Sequence, residues 1–474
     1  MPGEKKDAVP IGVSRNTAFD FEFLLRPRTV AVVGVSLTNP VHPANVIYNK
    51  LDLRYPVRVF PVNPKGGELR RQPVYRDISE IPEPVDMAVI AARADHVPAI
   101  LESCIRSGAK GATIISGGFS ESGRPDLQER MAAMAREANF PFIGPNCLGI
   151  YSPGRLDTFF LPGERLVRPE PGNVALISQS GGVLVDQMVT FAGQGVGLSI
   201  GVSIGNKALV REINLLEYLA KDPDTGVIAF YIEGFEKGEG RRFVQAAKAC
   251  PKPVVVLKAG KSSQGSRAVS SHTASMAGDY KVFSSVMAQH GIAEAANEFE
   301  MACFCEALSR CPLQHVQGRV GIITVSGGHG VLSVDACVQR GLAVPELSEK
   351  DKSRIRDTLS ASIRPIASLK NPIDLTGSAV DDDFAAAVQG LSASLDIDAI
   401  ILLLLPYSPG ISSDLGARLS LVSQQAGKPL VAYVPHVEKY RMLIEGFELN
   451  RVPVSASIEG AVLMVEGMKR CRPC

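Results

Sequence analysis

Short apolar runs rich in Val, Ile and Leu recur from Thr29 to Val465, each followed by a stretch with helical spacing. Continuous apolar runs without alternation are what strands covered on both faces look like, and their alternation with helices predicts βα units around parallel sheets. The runs place strands at Thr29–Val33, Val57–Val62, Met87–Ala91, Gly111–Ile115, Val174–Ser178, Val227–Ile232, Val254–Leu257, Val320–Val325, Ala399–Leu405 and Leu430–Val434. The pattern breaks at Ser152-Pro153-Gly154 and again at Cys311-Pro312-Leu313, which divides the chain into expected domains at 19–152, 168–312 and 316–470.

The second and third domains begin alike. Gly172-Asn-Val-Ala-Leu-Ile-Ser-Gln-Ser-Gly-Gly aligns without gaps on Gly318-Arg-Val-Gly-Ile-Ile-Thr-Val-Ser-Gly-Gly, and Gly195 and Gly341 close the following helices at the same spacing. Lys252-Pro-Val-Val-Val-Leu likewise matches Lys428-Pro-Leu-Val-Ala-Tyr. The chain therefore reads as two copies of one doubly wound α/β domain behind a different N-terminal one.

Composition narrows the function classes. With 474 residues, 50 basic and 49 acidic, the chain has no charge excess to attract nucleic acid or an acidic membrane. The longest apolar run, Ile397 to Pro406, is too short for a bilayer, and Met1 to Asn16 is too polar for a signal peptide. Nine unpatterned cysteines predict a reduced, cytoplasmic protein. Cys303, Cys305 and Cys311 fall in a helical stretch and read as small buried hydrophobes. Cys471 and Cys474, without a second pair nearby, read as a tail and not a zinc site, so no metal site is expected.

The candidate chemistry starts with Ser270-Ser-His-Thr-Ala-Ser-Met-Ala-Gly278, a polar stretch after a Gly/Ser/Lys-rich run, which reads as a loop. Its His272 is of the residue type that attacks phosphorus or carries a proton near neutral pH. Ser178-Gln179-Ser180-Gly181-Gly182 joins a strand to a helix, and backbone N–H groups at such a start form an anion site. Glu233 ends the strand Val227–Ile232. All three follow strands of the second domain, so they can meet at one sheet edge as phosphate cradle, nucleophile and orienting carboxylate. The third domain serves as an internal control. It has Leu405 or Pro406 in place of Glu233, and Val-Pro-His436-Val in place of the histidine loop, which leaves His436 as a surface residue.

In the first domain the turn Val33-Gly34-Val35-Ser36-Leu37-Thr38-Asn39-Pro40 lacks the G-x-G-x-x-G fingerprint of dinucleotide binding. Asn63-Pro64-Lys65-Gly66-Gly67 puts a lysine beside two glycines where an NAD site would need an acid, which suits a phosphate. Small residues at Ala91-Ala92 and Ser116-Gly117-Gly118 leave room for a nucleotide across the sheet edge.

Asn63-Pro-Lys-Gly-Gly, Gly144-Pro-Asn-Cys-Leu-Gly, Ser178-Gln-Ser-Gly-Gly and Ser271-His272-Thr together resemble the motifs of α subunits of ADP-forming acyl-CoA synthetases, in the succinyl-CoA synthetase superfamily, from Phe19 to about Arg470. The resemblance implies a Rossmann-like CoA-binding domain followed by two flavodoxin-like, succinyl-CoA synthetase-like domains. It places Gly34, Val35, Ser36, Asn39, Lys65, Ala91, Ser116 and Asn146 on CoA. It makes His272 the phosphate carrier, Glu233 its partner, and Ser178, Ser180, Gly181 and Gly182 the phosphate-binding helix start. The implied reaction joins a small carboxylic acid to CoA with ATP, giving acyl-CoA, ADP and phosphate through an acyl phosphate. The chain shows no ATP-grasp domain, so the resemblance further implies a β subunit that binds ATP/ADP and Mg2+, in an α2β2 assembly. Relatives often have glycine and leucine at Ala274 and Met276 and commonly have acidic residues near Leu209 and Arg211, so whether Leu209 and Arg211 alter a metal or subunit contact is left open by the resemblance. Two other readings are a non-catalytic CoA- or acyl-CoA-binding protein and an NADP-linked oxidoreductase using Lys65.

Overall fold

The computed structural model describes residues 19–272, 279–311 and 316–471, and side chains over the same stretches except 270–272. Three parallel sheets share one strand order. In the first, Arg58–Val62, Thr29–Val33, Met87–Ile90, Gly111–Ile114 and Phe142–Ile143 lie side by side. The second repeats the order with Leu198–Ser203, Pro171–Ser178, Val227–Ile232, Val254–Lys258 and Ala293–Ala295. The third does so with Ile373–Asp374, Val320–Thr324, Ala399–Leu403, Leu430–Tyr433 and Val454–Ser455. This is the doubly wound arrangement expected from the apolar runs, with central strands such as Val320–Thr324 and Ala399–Leu403 buried along their whole length.

Two short strands, Gly149–Ser152 and Leu156–Asp157, belong to the second sheet. They extend its Leu198–Ser203 edge in antiparallel fashion, so the turn at Ser152–Gly154 is a hairpin within that sheet. Their attachment is polar and buried. Lys50, from the first domain, donates to the Asp157 carboxylate (2.7 Å) and to the Phe159 carbonyl (2.5 Å). Arg168 pairs with the same carboxylate at 2.6 Å.

The second and third domains close with matching helices, Glu298–Arg310 and Ile458–Arg470, capped by Asn297 and Ser457. These helices pack on each other. A Cβ on Gly467 would meet the Phe304 ring at 2.8 Å, which is why this helix interior tolerates a glycine. One apolar core accordingly runs through both domains and includes Leu176, Phe304, Ile322 and Met464. Arg340 fastens the seam through Glu300 (2.5 Å) and Glu459 (2.9 Å). Cys303 and Cys305 sit inside this core, while Cys311 is half-buried. Cys471 is buried, and Cys474 lies outside the described residues. Among the described residues no helix is long and apolar enough to cross a membrane.

The polar run before the histidine corrects one expectation. The helix Ser263–His272 takes in Ser270–His272, the first three residues of the stretch expected to be a loop, and residues 273–278 lie outside the described residues. Ser262 Oγ accepts from Gly265 N at 3.0 Å at the helix start, and Val269 is buried with its side chain close to Gly260. One apolar anchor and a hydroxyl at the start hold a segment whose small polar residues alone favour a turn.

Candidate functional site

The carboxyl edge of the first sheet is stitched together from the ends of separate strands. Gly34 adopts φ +103°, and a Cβ there would lie 2.3 Å from the Ala91 carbonyl oxygen, so the first and third strand ends meet closely. Ala92 N donates to Ser116 Oγ (3.0 Å), and Asn146 N donates to the Ser116 carbonyl (2.8 Å). Asn63 Nδ2 donates to the Val35 carbonyl at 2.7 Å and its Oδ1 accepts from Lys65 N at 2.9 Å, which ties the lysine turn to the first turn. Ser36 Oγ accepts from Asn39 N at 3.0 Å and caps that turn. Val35 is buried, whereas Asn39, Lys65 and Asn146 are exposed. The structure thus brings Gly34, Val35, Ser36, Asn39, Lys65, Ala91, Ser116 and Asn146 to one edge, at the switch point where α/β sheets bind ligands. The Lys65 ammonium, exposed beside the positive-φ Gly66 and Gly67, is a donor suited to a phosphate-bearing ligand.

This edge abuts the second sheet. The segment after Leu198–Ser203 crosses to the first domain, with Asn206 N donating to the Pro145 carbonyl (2.9 Å) and Ala208 N to the Gly144 carbonyl (3.1 Å). A Cβ on Gly205 would lie 2.4 Å from the Asn146 carbonyl oxygen. Leu148 N donates to Ser203 Oγ at 3.1 Å, and a Cβ on Gly181 would meet Leu148 Cβ at 3.2 Å. Asn146 and the Gly181 helix start are therefore joined by one short, packed stretch of chain.

At the second sheet, Ser178 Oγ donates to the Ser180 carbonyl (2.6 Å) and accepts from Ser180 N (3.1 Å). Ser180 caps the helix Gly181–Gly193 through Val183 N at 3.4 Å, and a Cβ on Gly182 would meet nothing within 4 Å. Gln179 is buried and turned inward. Its Oε1 accepts from Glu233 N (2.6 Å) and Gly234 N (3.1 Å), while Nε2 donates to the Gly234 carbonyl (2.9 Å) and to Glu212. Lys207, also buried, donates to the same Gly234 carbonyl (2.8 Å) and to Glu212 (3.0 Å). Glu233 itself is 7 % exposed, and its charge together with burial pushes the neighbouring Tyr231 hydroxyl up to about 12, burial being the larger cause. His272 ends the helix that follows the adjacent strand, and its side chain lies outside the described residues. Ala274 and Met276 lie outside them too.

The third sheet repeats the turn without the acid. Thr324 Oγ1 donates to the Ser326 carbonyl and accepts from Ser326 N, both at 3.0 Å. The helix Gly327–Gln339 then carries His329 in its first turn, with Nδ1 3.1 Å from Ser326 Oγ. Leu405 is buried where the second sheet has Glu233, and His436 is exposed.

Residues 28–153 match a CoA binding domain, residues 171–308 a succinyl-CoA ligase like flavodoxin domain, and residues 320–426 a ligase-CoA domain. The α subunit of acetate–CoA ligase (ADP-forming) I from Pyrococcus furiosus is 35% identical over 453 residues, covering 93% of this chain and 95% of that one. The chain belongs to the ADP-forming acyl-CoA ligases, among their α subunits. A solved family member, the acetyl-coenzyme A synthetase 1 of Ca. Korarchaeum cryptofilum in complex with phosphate and ADP, superposes with a TM-score of 0.84 at 31% identity, over 95% of this chain and 96% of the other. The family also includes longer chains with another acyl group: the 4-hydroxybutyrate–CoA ligase (ADP-forming) of Nitrosopumilus maritimus is 27% identical over 94% of this chain but 64% of its own length. Leu209 and Arg211 have internal partners. Leu209 is buried in the first-domain core, and Arg211 bonds Glu239 (2.8 Å) and Glu236 (2.7 Å). Among the described residues no group of three His, Cys, Asp or Glu could hold a metal ion.

Gln179, Lys207, Glu212 and Lys258 are the polar residues that spacing did not single out. Gln179 lay inside a motif read for its serines and glycines. Lys207 and Lys258 stand in glycine- and serine-bearing stretches that look like surface, yet both are buried.

Proposed function

We propose that this chain is the α subunit of an ADP-forming acyl-CoA synthetase that works with an ATP-grasp β subunit, which binds ATP/ADP and Mg2+. The γ-phosphoryl group leaves ADP as a bond forms to a ring nitrogen of His272. A carboxylate oxygen of the acid then takes the phosphoryl group, freeing the imidazole and making an acyl phosphate. CoA, as thiolate, attacks the acyl carbon and phosphate leaves. Splitting the reaction in this way replaces one difficult displacement by three positioned ones. Glu233 holds the imidazole by one nitrogen, and the Ser180–Gly182 helix start receives the phosphate charge through its N–H groups and dipole. Gly34, Ser36, Lys65, Ala91, Ser116 and Asn146 bind CoA, with Val35 and Asn39 shaping the turn.

The observation that supports this reading most strongly is the asymmetry between the repeats. Both have the hydroxyl-clamped, glycine-rich helix start, while the buried strand-end glutamate stands in the second alone. A non-catalytic CoA-binding protein would have no use for it. The test is to combine the chain with an ATP-grasp partner, MgATP, CoA and acetate and measure acyl-CoA. Wild type should form it and His272→Ala should not. Equal product from both would discard the mechanism, and product without the partner would discard the two-subunit reading.

A further inference from the structure

Lys258 ends the strand Val254–Lys258 and lies in register with Ile232, the residue before Glu233. It is 5 % exposed. Its Nζ donates to the Glu233 carbonyl at 2.7 Å and to the Ala259 carbonyl, and stands 5.8 Å from the centre of the Phe283 ring. An ammonium is expensive to bury, and nothing in the scaffold demands one here. The corresponding strand of the third domain runs on into Val434, fully buried, beside the strand whose glutamate position is taken by Leu405. The lysine and the glutamate are thus absent together from the sister repeat. The charged groups that face the ammonium are Glu233, Glu294 on the outer strand Ala293–Ala295, and Lys261.

We infer that Lys258 is a positioning residue for phosphoryl transfer: it pins the strand end that carries Glu233 and fixes a positive charge beside it. The inference rests on the phosphohistidine reading above. A preorganised cation at an edge where a phosphoryl dianion is handled lowers the barrier without reorganising at the moment of reaction.

The experiment is labelling of the full chain with [32P]acetyl phosphate, a probe that calls for no ATP site. Lys258→Met should keep its fold, since an apolar side chain fills the sister position. Its labelling rate should fall roughly 100-fold or more. Lys258→Arg should recover most of that loss. A pH series gives a second reading that does not depend on the methionine variant folding. Burial pushes the Lys258 ammonium down to about 8, with Glu233 and Glu294 opposing, so wild-type labelling should decline as pH rises above that value. The arginine variant, which stays charged, should not decline. Wild-type labelling by folded Lys258→Met, or matching pH profiles for wild type and Lys258→Arg, overturns the lysine assignment while leaving the functional reading intact. A wild type that takes no label overturns the functional reading, and the lysine assignment with it.

Discussion

The second and third domains are one fold built twice, and they differ where it matters. Both place the first strand beside the third, start a helix with a hydroxyl-clamped glycine pair, and close with helices that pack on each other. At three matched strand-end positions the second domain has Gln179, Glu233 and Lys258, where the third has Val325, Leu405 and Val434. All six are buried. The third domain shows that apolar side chains can fill these positions, so Glu233 and Lys258 in the second answer to something other than folding, while Gln179 serves the Glu233–Gly234 backbone. Gln179 and Lys258 bond the Glu233–Gly234 backbone from two sides, the first through its N–H groups and the second through the Glu233 carbonyl.

That contrast can be broken experimentally. The largest effect is expected from Glu233→Gln, which keeps the shape and removes the charge. Phosphorylation of the chain should slow on the order of 100-fold or more, with little change in melting temperature. A rate equal to wild type would make Glu233 a structural residue.

Gln179→Val converts the second domain to the third at one position. It strands the N–H groups of Glu233 and Gly234, and should cost roughly 2–4 kcal/mol in chemical denaturation as well as activity. A loss under about 0.5 kcal/mol would show that the inward hydrogen bonds do not bear on stability. The paired variants Ser178→Ala and Thr324→Ala remove the same clamp from each repeat. Each should lower stability by about 1 kcal/mol, but only the first should slow phosphorylation. Equal kinetic effects would contradict the assignment of chemistry to the second domain.

The smallest expected effect concerns the helices that join the repeats. Glu306 is fully buried and accepts from Val454 N at 3.2 Å, and burial raises its carboxyl to about 8 despite Arg310. A folded value above the unfolded one of about 4.3 means that the native state holds the proton longer, so stability declines as pH rises between those values. Glu306→Gln should flatten that decline in melting temperature, and an unchanged slope would remove Glu306 as its source. Its counterpart Glu466, also raised by burial, pairs with Arg470 at 2.5 Å.

The sheets were legible because their strands are uninterrupted apolar runs, and the repeat because Gly172 and Gly318 start matched stretches. The serine–glycine turn and Glu233 were legible as well, since residue type and position after a strand suffice to suggest them. The helix at Ser263–His272 was not, because its small polar residues signal a turn, and the buried Val269 and the Ser262 hydroxyl at its start become apparent only in the fold. Nor could spacing reveal Gln179, Lys207 or Lys258. Their importance lies in which backbone groups they reach across the fold, and that depends on strand neighbours far away in sequence. The hairpin Gly149–Asp157 was hidden for the same reason, since its partner strand lies beyond the proline-rich connection.

The most direct test of the account is to phosphorylate the chain and locate the phosphate by mass spectrometry under alkaline conditions that preserve phosphohistidine. An acid-labile phosphate on His272 that disappears in His272→Ala is the predicted result. A phosphate on any other residue, or label that persists in that variant, would contradict it.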